Sequence, residues 1–363
     1  METMIVPKLG IIILNWNGWR DTCECLASLL TSTFQDFQVI LIENGSTDDS
    51  VEKITSWARG EMSVSVGPFE QKPSRSAIGF QTYPLEDIEK SSVYYNEDTE
   101  TKLLMIRSPE NLGFARGCNV GLRYALRSGF EYVCLLNNDT TVEPDALACL
   151  CDFMESQARV DVITPIIYYY DRPSTVWNFG GRLTFTGRRK YFLGNRKVVN
   201  RKIEPVRNVT FLTGCALFAR SRVFDTYGLL SESFFFGEED YEFSLRMKEN
   251  RVYMAALSCA RVYHKVNASN DGTDPSGRLS HAFVGYLNRF IDRKKHSRRW
   301  AWQMWRFLCL IYILPLVAAR HGLPFRRLFR FGRNLWTYSS ALDEVGQQDY
   351  LRIKELFHTG CMA

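Results

Sequence analysis

The chain has 363 residues, 45% of them hydrophobic and 13% aromatic, enough to bury a large core and to exclude a disordered chain. Its net charge of +5 is unevenly placed, because residues 288–333 carry twelve Lys/Arg against the single acid Asp292. Such a block points to a membrane surface or nucleic acid, and the apolar run inside it together with the lack of an RNA-binding motif disfavours nucleic acid. The ten cysteines include the pairs Cys23/Cys25 and Cys149/Cys151 without a second pair at zinc-finger spacing. They are expected to be reduced, buried thiols in a cytosolic compartment. Met1 to Pro7 has no basic stretch of the kind that opens a secretory signal.

Leu9 to Leu14, LGIIIL, is a continuous apolar run and predicts a central parallel strand that ends at Asn15-Trp16-Asn17-Gly18. Cys25 to Leu30 predicts a helical return. Phe37 to Ile42 is the next strand and closes on Glu43-Asn44-Gly45-Ser46. An acid at the end of a second strand can receive a ribose hydroxyl, and the same residues also suit a turn with a capped helix. No GxGxxG follows the first strand, which disfavours a dinucleotide fold of that kind. Gly60 to Lys102 is polar and irregular, and reads as a surface insertion with room for short elements of its own.

Leu103 to Ile106 predicts a third strand, followed by PENLGFARGCNVG and a helix from Ala115 to Leu126. Its glycines permit close backbone approach, and Asn111 and Asn119 offer neutral hydrogen bonds. Glu131 to Asp139, EYVCLLNND, reads as a buried strand stopping on Asn137-Asn138-Asp139, with a helix starting in TTVEPDAL around Pro144. A carboxylate there stands where open α/β sheets bind ligands. Val160 to Tyr168 predicts a fifth strand. Val176 to Leu193 predicts a hairpin with turns at Gly180-Gly181 and Thr186-Gly187, and Val209 to Ala219 a long strand broken at Gly214. Phe234 to Phe236 precede Glu238-Glu239-Asp240 and a helix on which Glu242 and Arg246 can pair. Val252 to Ala256 and Ala260 to His264 predict two short strands.

A basic amphipathic helix follows His281. Trp300 to Ala319 is twenty residues long, Trp-rich and mainly apolar. It is expected to lie in or dip into the cytoplasmic leaflet, with Arg320 to Arg333 at the headgroups. The competing reading is an aromatic helix packed on the catalytic domain.

In order, IIILNWNG, VILIENGSTDDS, NLGFARGCNVG, LLNNDT, TGCALFARSRVF, FFFGEEDYEFSLR and VYHKVNAS resemble the family 2 nucleotide-sugar glycosyltransferases, in particular their rhamnosyltransferase-like branch. The resemblance spans about residues 9–296. It implies a GT-A fold, an α/β Rossmann-like mixed sheet flanked by helices, over 1–296 with 60–102 as insertion. Residues 297–363 would be a helical, membrane-associating region. By the resemblance Asn15, Asn17 and Glu43 line the nucleotide pocket, Glu43 standing where the family usually carries Asp. Asn111, Gly113, Phe114, Asn119 and Asn138 lie near the diphosphate and donor sugar. Asp139 and His264 hold Mg²⁺ or Mn²⁺, Asp240 is the general base with Glu239 beside it, and Trp177, Gly214 and Cys215 belong to the acceptor side. The implied reaction moves rhamnose or a hexose from a nucleoside-diphosphate sugar to a glycan or lipid-linked acceptor with inversion. A nucleotidyltransferase and an inactive sugar- or nucleotide-binding protein are the alternatives.

Overall fold

The computed structural model describes residues 6–67, 77–90, 101–184, 189–198, 203–266 and 275–359. The first half contains β1 (Leu9–Asn15), α1 (Trp19–Leu30), β2 (Phe37–Asn44), α2 (Ser50–Ala58), β3 (Phe80–Pro84), α3 (Leu85–Glu89), β4 (Leu103–Ser108) and α4 (Phe114–Ser128). Next come β5 (Tyr132–Asn137), β6 (Thr140–Val142), α5 (Ala146–Ser156), β7 (Val162–Tyr169), β8 (Thr175–Asn178), β9 (Gly181–Leu183), β10 (Arg189–Tyr191) and β11 (Arg196–Lys197). The remainder is β12 (Val206–Val209), β13 (Ala216–Arg220), α6 (Arg222–Tyr227), α7 (Glu239–Glu249), β14 (Met254–His264), α8 (Pro275–Lys295), α9 (Arg299–His321), α10 (Phe325–Ala341) and α11 (Gln347–His358).

Twelve strands form one mixed sheet, with the path β11-β8-β7-β13-β5-β1-β2-β4-β3 and with β14 joining β7, β6 and β12. The predicted central strand β1 is parallel to β2 and β5, and β4 and β3 extend the parallel half. β1, β2 and β5 are buried on both faces, which is why they read as apolar runs rather than alternating ones. Chain order steps from β1 out to β2 and then returns to β5 on the other side of β1. The carboxyl ends of β1 and β5 therefore flank the point where such sheets form a ligand crevice.

Several elements differ from expectation. The residues after Asp139 form strand β6 before helix α5 begins, because Thr140 to Val142 pair with Val262 to His264 of β14. The two predicted strands around Leu257 are one strand, β14, with a bulge between Leu257 and Arg261. The expected long strand from Val209 is two, β12 and β13. Between them Phe211 exchanges backbone bonds with Gly181, and Leu212 N–H bonds Ser244 Oγ at 3.1 Å, which draws the chain out of the sheet. The expected hairpin over Val176–Leu193 separates into β8, which joins the main sheet, and the β9–β10 pair. Its Thr186-Gly187 turn lies outside the described residues, as does the end of the VYHKVNAS motif. Part of the predicted insertion supplies the edge strand β3. Cys149 and Cys259 form a disulfide 110 residues apart, against the expectation that every thiol is reduced.

The helices α8 to α11 share a separate core with Phe234, built from residues such as Phe283, Trp302, Phe331 and Phe357.

Candidate active site

The parallel strands end in a net of neutral side chains. Asn15 Oδ1 accepts from Thr22 Oγ1 at 2.7 Å, and Asn138 Nδ2 donates to Thr22 Oγ1 at 3.0 Å, which ties the ends of β1 and β5 to α1. Glu43 Oε1 accepts from Ser46 N–H at 3.0 Å and faces Asn15 Nδ2 at 3.5 Å, so this acid organises the turn that follows its own strand. Asn17, at a positive φ of 50°, accepts from Thr47 N–H at 2.8 Å through Oδ1. Asn15, Asn17 and Glu43 are thus brought together around Ser46 and Thr47.

Asn111 joins them through Asn44, whose Nδ2 donates to Asn111 Oδ1 at 3.0 Å, and the same oxygen accepts from Gly113 N–H at 2.9 Å. Gly113 has φ +79°, and a Cβ there would sit 2.5 Å from Phe235 O, so only glycine fits where this loop meets the segment before α7. Asn119 is placed differently from expectation. It is buried, and its amide grips Leu230 O at 2.9 Å, Glu232 Oε1 at 2.8 Å and Leu230 N–H at 3.0 Å. Its hydrogen-bonding capacity goes into clasping a loop rather than into facing a donor sugar.

Asp139 and His264 are neighbours, with Asp139 Oδ1 3.1 Å from His264 Nε2. The β6–β14 pairing puts His264 opposite Thr140, and Lys265 N–H bonds Asp139 O at 3.0 Å. Both residues are 7% exposed. Among the described residues Asp139 Oδ1, Asn137 Oδ1 and His264 Nδ1 have no aligned hydrogen-bond partner, and no third His, Cys, Asp or Glu completes a cluster. Buried oxygens left without partners beside an imidazole fit a cation whose remaining ligands come from phosphate and water. Trp177 packs edge-on against His264, ring centroids 4.6 Å apart.

Asp240 lies beside the same short turn. Asn137 N–H donates to Cys215 O at 2.9 Å, and the backbone of the preceding Gly214 helps to stabilise the charged Asp240 carboxylate. A Cβ on Gly214 would be 3.7 Å from both Asp240 Cβ and Phe114 Cε1, so Gly214, Phe114 and Asp240 converge. Cys215 lies within reach of the charges of both acids. Burial raises the Cys215 thiol well above its ordinary range, and the charges of Asp139 and Asp240 reinforce this.

Asp240 is 9% exposed, and burial raises its pKa above the ordinary carboxylate value, against the pull of Arg189. Burial and the neighbouring Asp240 charge push Glu239 up to about 8. Glu238, at φ +72°, behaves oppositely. Burial alone would raise it, but Arg189 at 2.5 Å and Arg289 at 2.9 Å outweigh that and hold it below the ordinary value. Arg189 also reaches Asp240, Nη1 to Oδ1 3.5 Å. Sequence reasoning missed Arg189, Arg289 and the part played by Glu238. The clue was the run Gly187-Arg188-Arg189-Lys190 set among aromatic residues, and nothing in the spacing paired it with acids some fifty positions away.

A mixed sheet with a carboxylate and an imidazole at its strand ends and further buried acids nearby defines an α/β protein with a ligand crevice at that edge. The profile described as Glycosyl transferase family group 2 matches residues 132–343, and that described as Glycosyl transferase family 2 matches residues 10–74. The chain belongs to glycosyl transferase family 2, and its fold is GT-A. Among solved structures it is similar to the mannosyltransferase PcManGT from Pyrobaculum calidifontis in complex with GDP-Man and Mn²⁺, at 12% identity and a TM-score of 0.51, covering 98% of this chain and 88% of that one. GalNAc-T7 with UDP, GalNAc and Mn²⁺ aligns at 13% identity and a TM-score of 0.49 over 89% of this chain, which spans 56% of that protein's length. S. aureus TarS 1-349 aligns at 14% identity and a TM-score of 0.45, covering 97% and 92% of the two chains. No curated protein sequence matches the chain.

Proposed function

We propose that the chain is an inverting, metal-dependent glycosyltransferase that moves rhamnose or a hexose from a nucleoside-diphosphate sugar to a glycan or lipid-linked acceptor in cell-surface polysaccharide synthesis. The observation that carries this reading is that Asp139 and Asp240 both bear on Cys215 of the Gly214-Cys215 turn, each with a distinct partner. The GDP-Man and Mn²⁺ in the PcManGT complex support a nucleotide-sugar donor and a divalent ion.

Asn15, Asn17 and Glu43 line the nucleotide side, and the neutral Asn111, Asn137 and Asn138 add no negative charge beside a diphosphate. Asp139 and His264 would hold Mg²⁺ or Mn²⁺, which supplies neutralisation of the charge that builds on the leaving β-phosphate. Asp240 takes the proton of the attacking hydroxyl. That oxygen bonds the anomeric carbon from the face opposite the departing diphosphate, and one displacement with one base inverts the centre. The raised pKa of Asp240 makes it a stronger base than an exposed carboxylate. Glu239, which keeps its proton to about pH 8, is the poorer candidate at neutral pH. Trp177, beside His264, stands on the acceptor side with Gly214 and Cys215.

In this reading residues 1–296 are the catalytic domain, and 297–363 rest on the inner face of the cell membrane without binding nucleic acid. Support comes from α9, whose 23 residues are apolar enough to cross a bilayer with only 33% of the tested stretch buried, and from the arginines around it. Incubation with Mn²⁺ and a panel of nucleotide sugars tests the activity. Release of nucleoside diphosphate by the wild type, with Asp240→Asn retaining nucleotide binding but losing about 10²–10⁴-fold in transfer, is the expected result. Pyrophosphate release from a nucleoside triphosphate and sugar phosphate would instead make it a nucleotidyltransferase, and no turnover would make it a binding protein. If Glu239→Gln is the dead variant, the base is one residue earlier.

A further inference from the structure

A groove of about 630 Å³ runs between α8 and α9, starting beside the catalytic acids. Its inner end is formed by Arg189, Tyr191, Glu238 and Arg289, and Arg189 is the residue that reaches Asp240. From there α9 lines it with Trp305, Ile313, Leu316 and Val317, and Arg320 closes the outer end. Residues 305 to 320 at about 1.5 Å per residue make this wall roughly 22 Å long. The opposite side of the same helix presents Trp300, Met304, Phe307, Leu308 and Ile311, all more than half exposed.

Two physical features select an occupant. Between its charged ends the groove is lined by Phe290, Trp305, Cys309, Ile313, Leu316 and Val317, broken by Tyr286 and Tyr312, so a glycan chain laid along it would lose more bonds to water than it regained. A hydrocarbon chain loses nothing there and gains by leaving water. At the inner end Glu238 bridges both guanidiniums, 2.5 Å from Arg189 and 2.9 Å from Arg289, and Arg189 also reaches Asp240 at 3.5 Å. Paired arginines with planar donor forks suit a phosphate.

We infer that this groove is the acceptor-lipid site: the hydrocarbon tail of an amphiphilic, phosphate-bearing acceptor lies between α8 and α9, its phosphate meets Arg289 and Arg189, and its sugar hydroxyl is presented to Asp240. The inference rests on the proposed transferase reading for the role of Asp240, and it narrows the acceptor from any glycan to an anionic lipid-linked one. The groove runs from Arg189 and Glu238 along α9 to the part-exposed Tyr312 and Leu316, so a tail can enter from a membrane at that end while its head stays at the arginines.

Titration calorimetry on the full chain without donor tests the site independently of catalysis. The probes are farnesyl phosphate, farnesol and inorganic phosphate. Farnesyl phosphate is expected to bind at least about 100-fold more tightly than inorganic phosphate, the tail supplying the difference. Leu316→Trp, which fills the groove from a half-exposed position, and Leu316→Glu, which places a charge in it, should each weaken farnesyl phosphate about tenfold or more. Arg289→Gln should abolish the preference for farnesyl phosphate over farnesol, and Asp240→Asn should still bind. Equal affinity for farnesyl phosphate and inorganic phosphate would overturn the proposal. So would wild-type binding by both Leu316 variants, or a loss seen with Leu308→Glu on the outer face and not with them. Failed transfer alongside intact farnesyl phosphate binding would sink the base assignment and leave this site standing.

Discussion

At the sheet edge polar groups are enclosed and their positions prescribed: Asn15, Glu43, Asp139 and Asp240 are all buried, and each is held by a neighbour from a different element. On α9 the arrangement is reversed. Phe307 and Leu308 are 57% and 52% exposed, while Arg306 is fully enclosed between the Trp302 and Trp336 rings and donates to Ser339 and Ser340. Burying a charged or polar side chain is tolerated only when its bonds are made, so the sheet edge is a site built to hold geometry. A helix that hides its arginine and shows its phenylalanine presents an apolar face with no cover among the described residues. In the proposed reading that face meets a membrane, chemistry and attachment fall on separate surfaces, and mutation should dissociate the two.

The largest effect is expected at Asp139. Asp139→Ala should reduce metal-dependent donor turnover by about 10³-fold or more, since a bound cation contributes several kcal/mol, while co-sedimentation with vesicles stays at the wild-type level. Wild-type turnover by this variant would break the contrast at its catalytic end. Arg189→Gln comes next. It removes a charge-assisted contact to both Glu238 and Asp240, worth about 1.5–3 kcal/mol, so kcat should fall roughly 10–100-fold with donor affinity little changed. A rise in donor KM alone would place Arg189 on the nucleotide instead.

On the helical side, Phe307→Ser and Leu308→Ser should each lower partition onto anionic vesicles by about tenfold, the equivalent of partly burying one large apolar side chain. Unchanged partition would return α9 to the competing reading, a helix packed only on its own protein.

The smallest effect concerns pH. The native Glu239 holds its proton to about pH 8, whereas the unfolded residue releases it near its ordinary value of 4.5. Between those values the folded state binds more protons than the unfolded one, so this group's contribution to stability falls as pH rises. Denaturant unfolding at pH 5 and pH 8 should show a gentler decline for Glu239→Gln than for wild type, by at most about 1.4 kcal/mol per pH unit and less after solvent screening. Parallel slopes would contradict the proton assignment.

Much of the catalytic edge could be read before folding. Leu9–Leu14, Phe37–Ile42 and Tyr132–Asn137 are parallel strands buried on both faces, so each announces itself as an apolar run, and the polar residues that stop the run mark the ligand edge. Glu242 and Arg246 pair as their helical spacing requires, at 2.8 Å. Asn119 was misplaced because its partners, Leu230 and Glu232, lie more than a hundred residues away and compete for the same amide that a ligand would use.

Local composition, through apolar periodicity and the residues that interrupt it, determined by itself that this chain is an α/β protein with acids at its strand ends and a basic, aromatic C-terminal region. Those signals act over a few residues and survive without a partner. Only the tertiary structure decided which distant groups meet: that β6 pairs with β14 and carries His264 to Asp139, that Arg189 and Arg289 bracket Glu238, and that α8 and α9 leave a groove leading to Arg189 and Glu238. Such contacts depend on strand register and helix packing across the whole chain, which no short window of residues specifies.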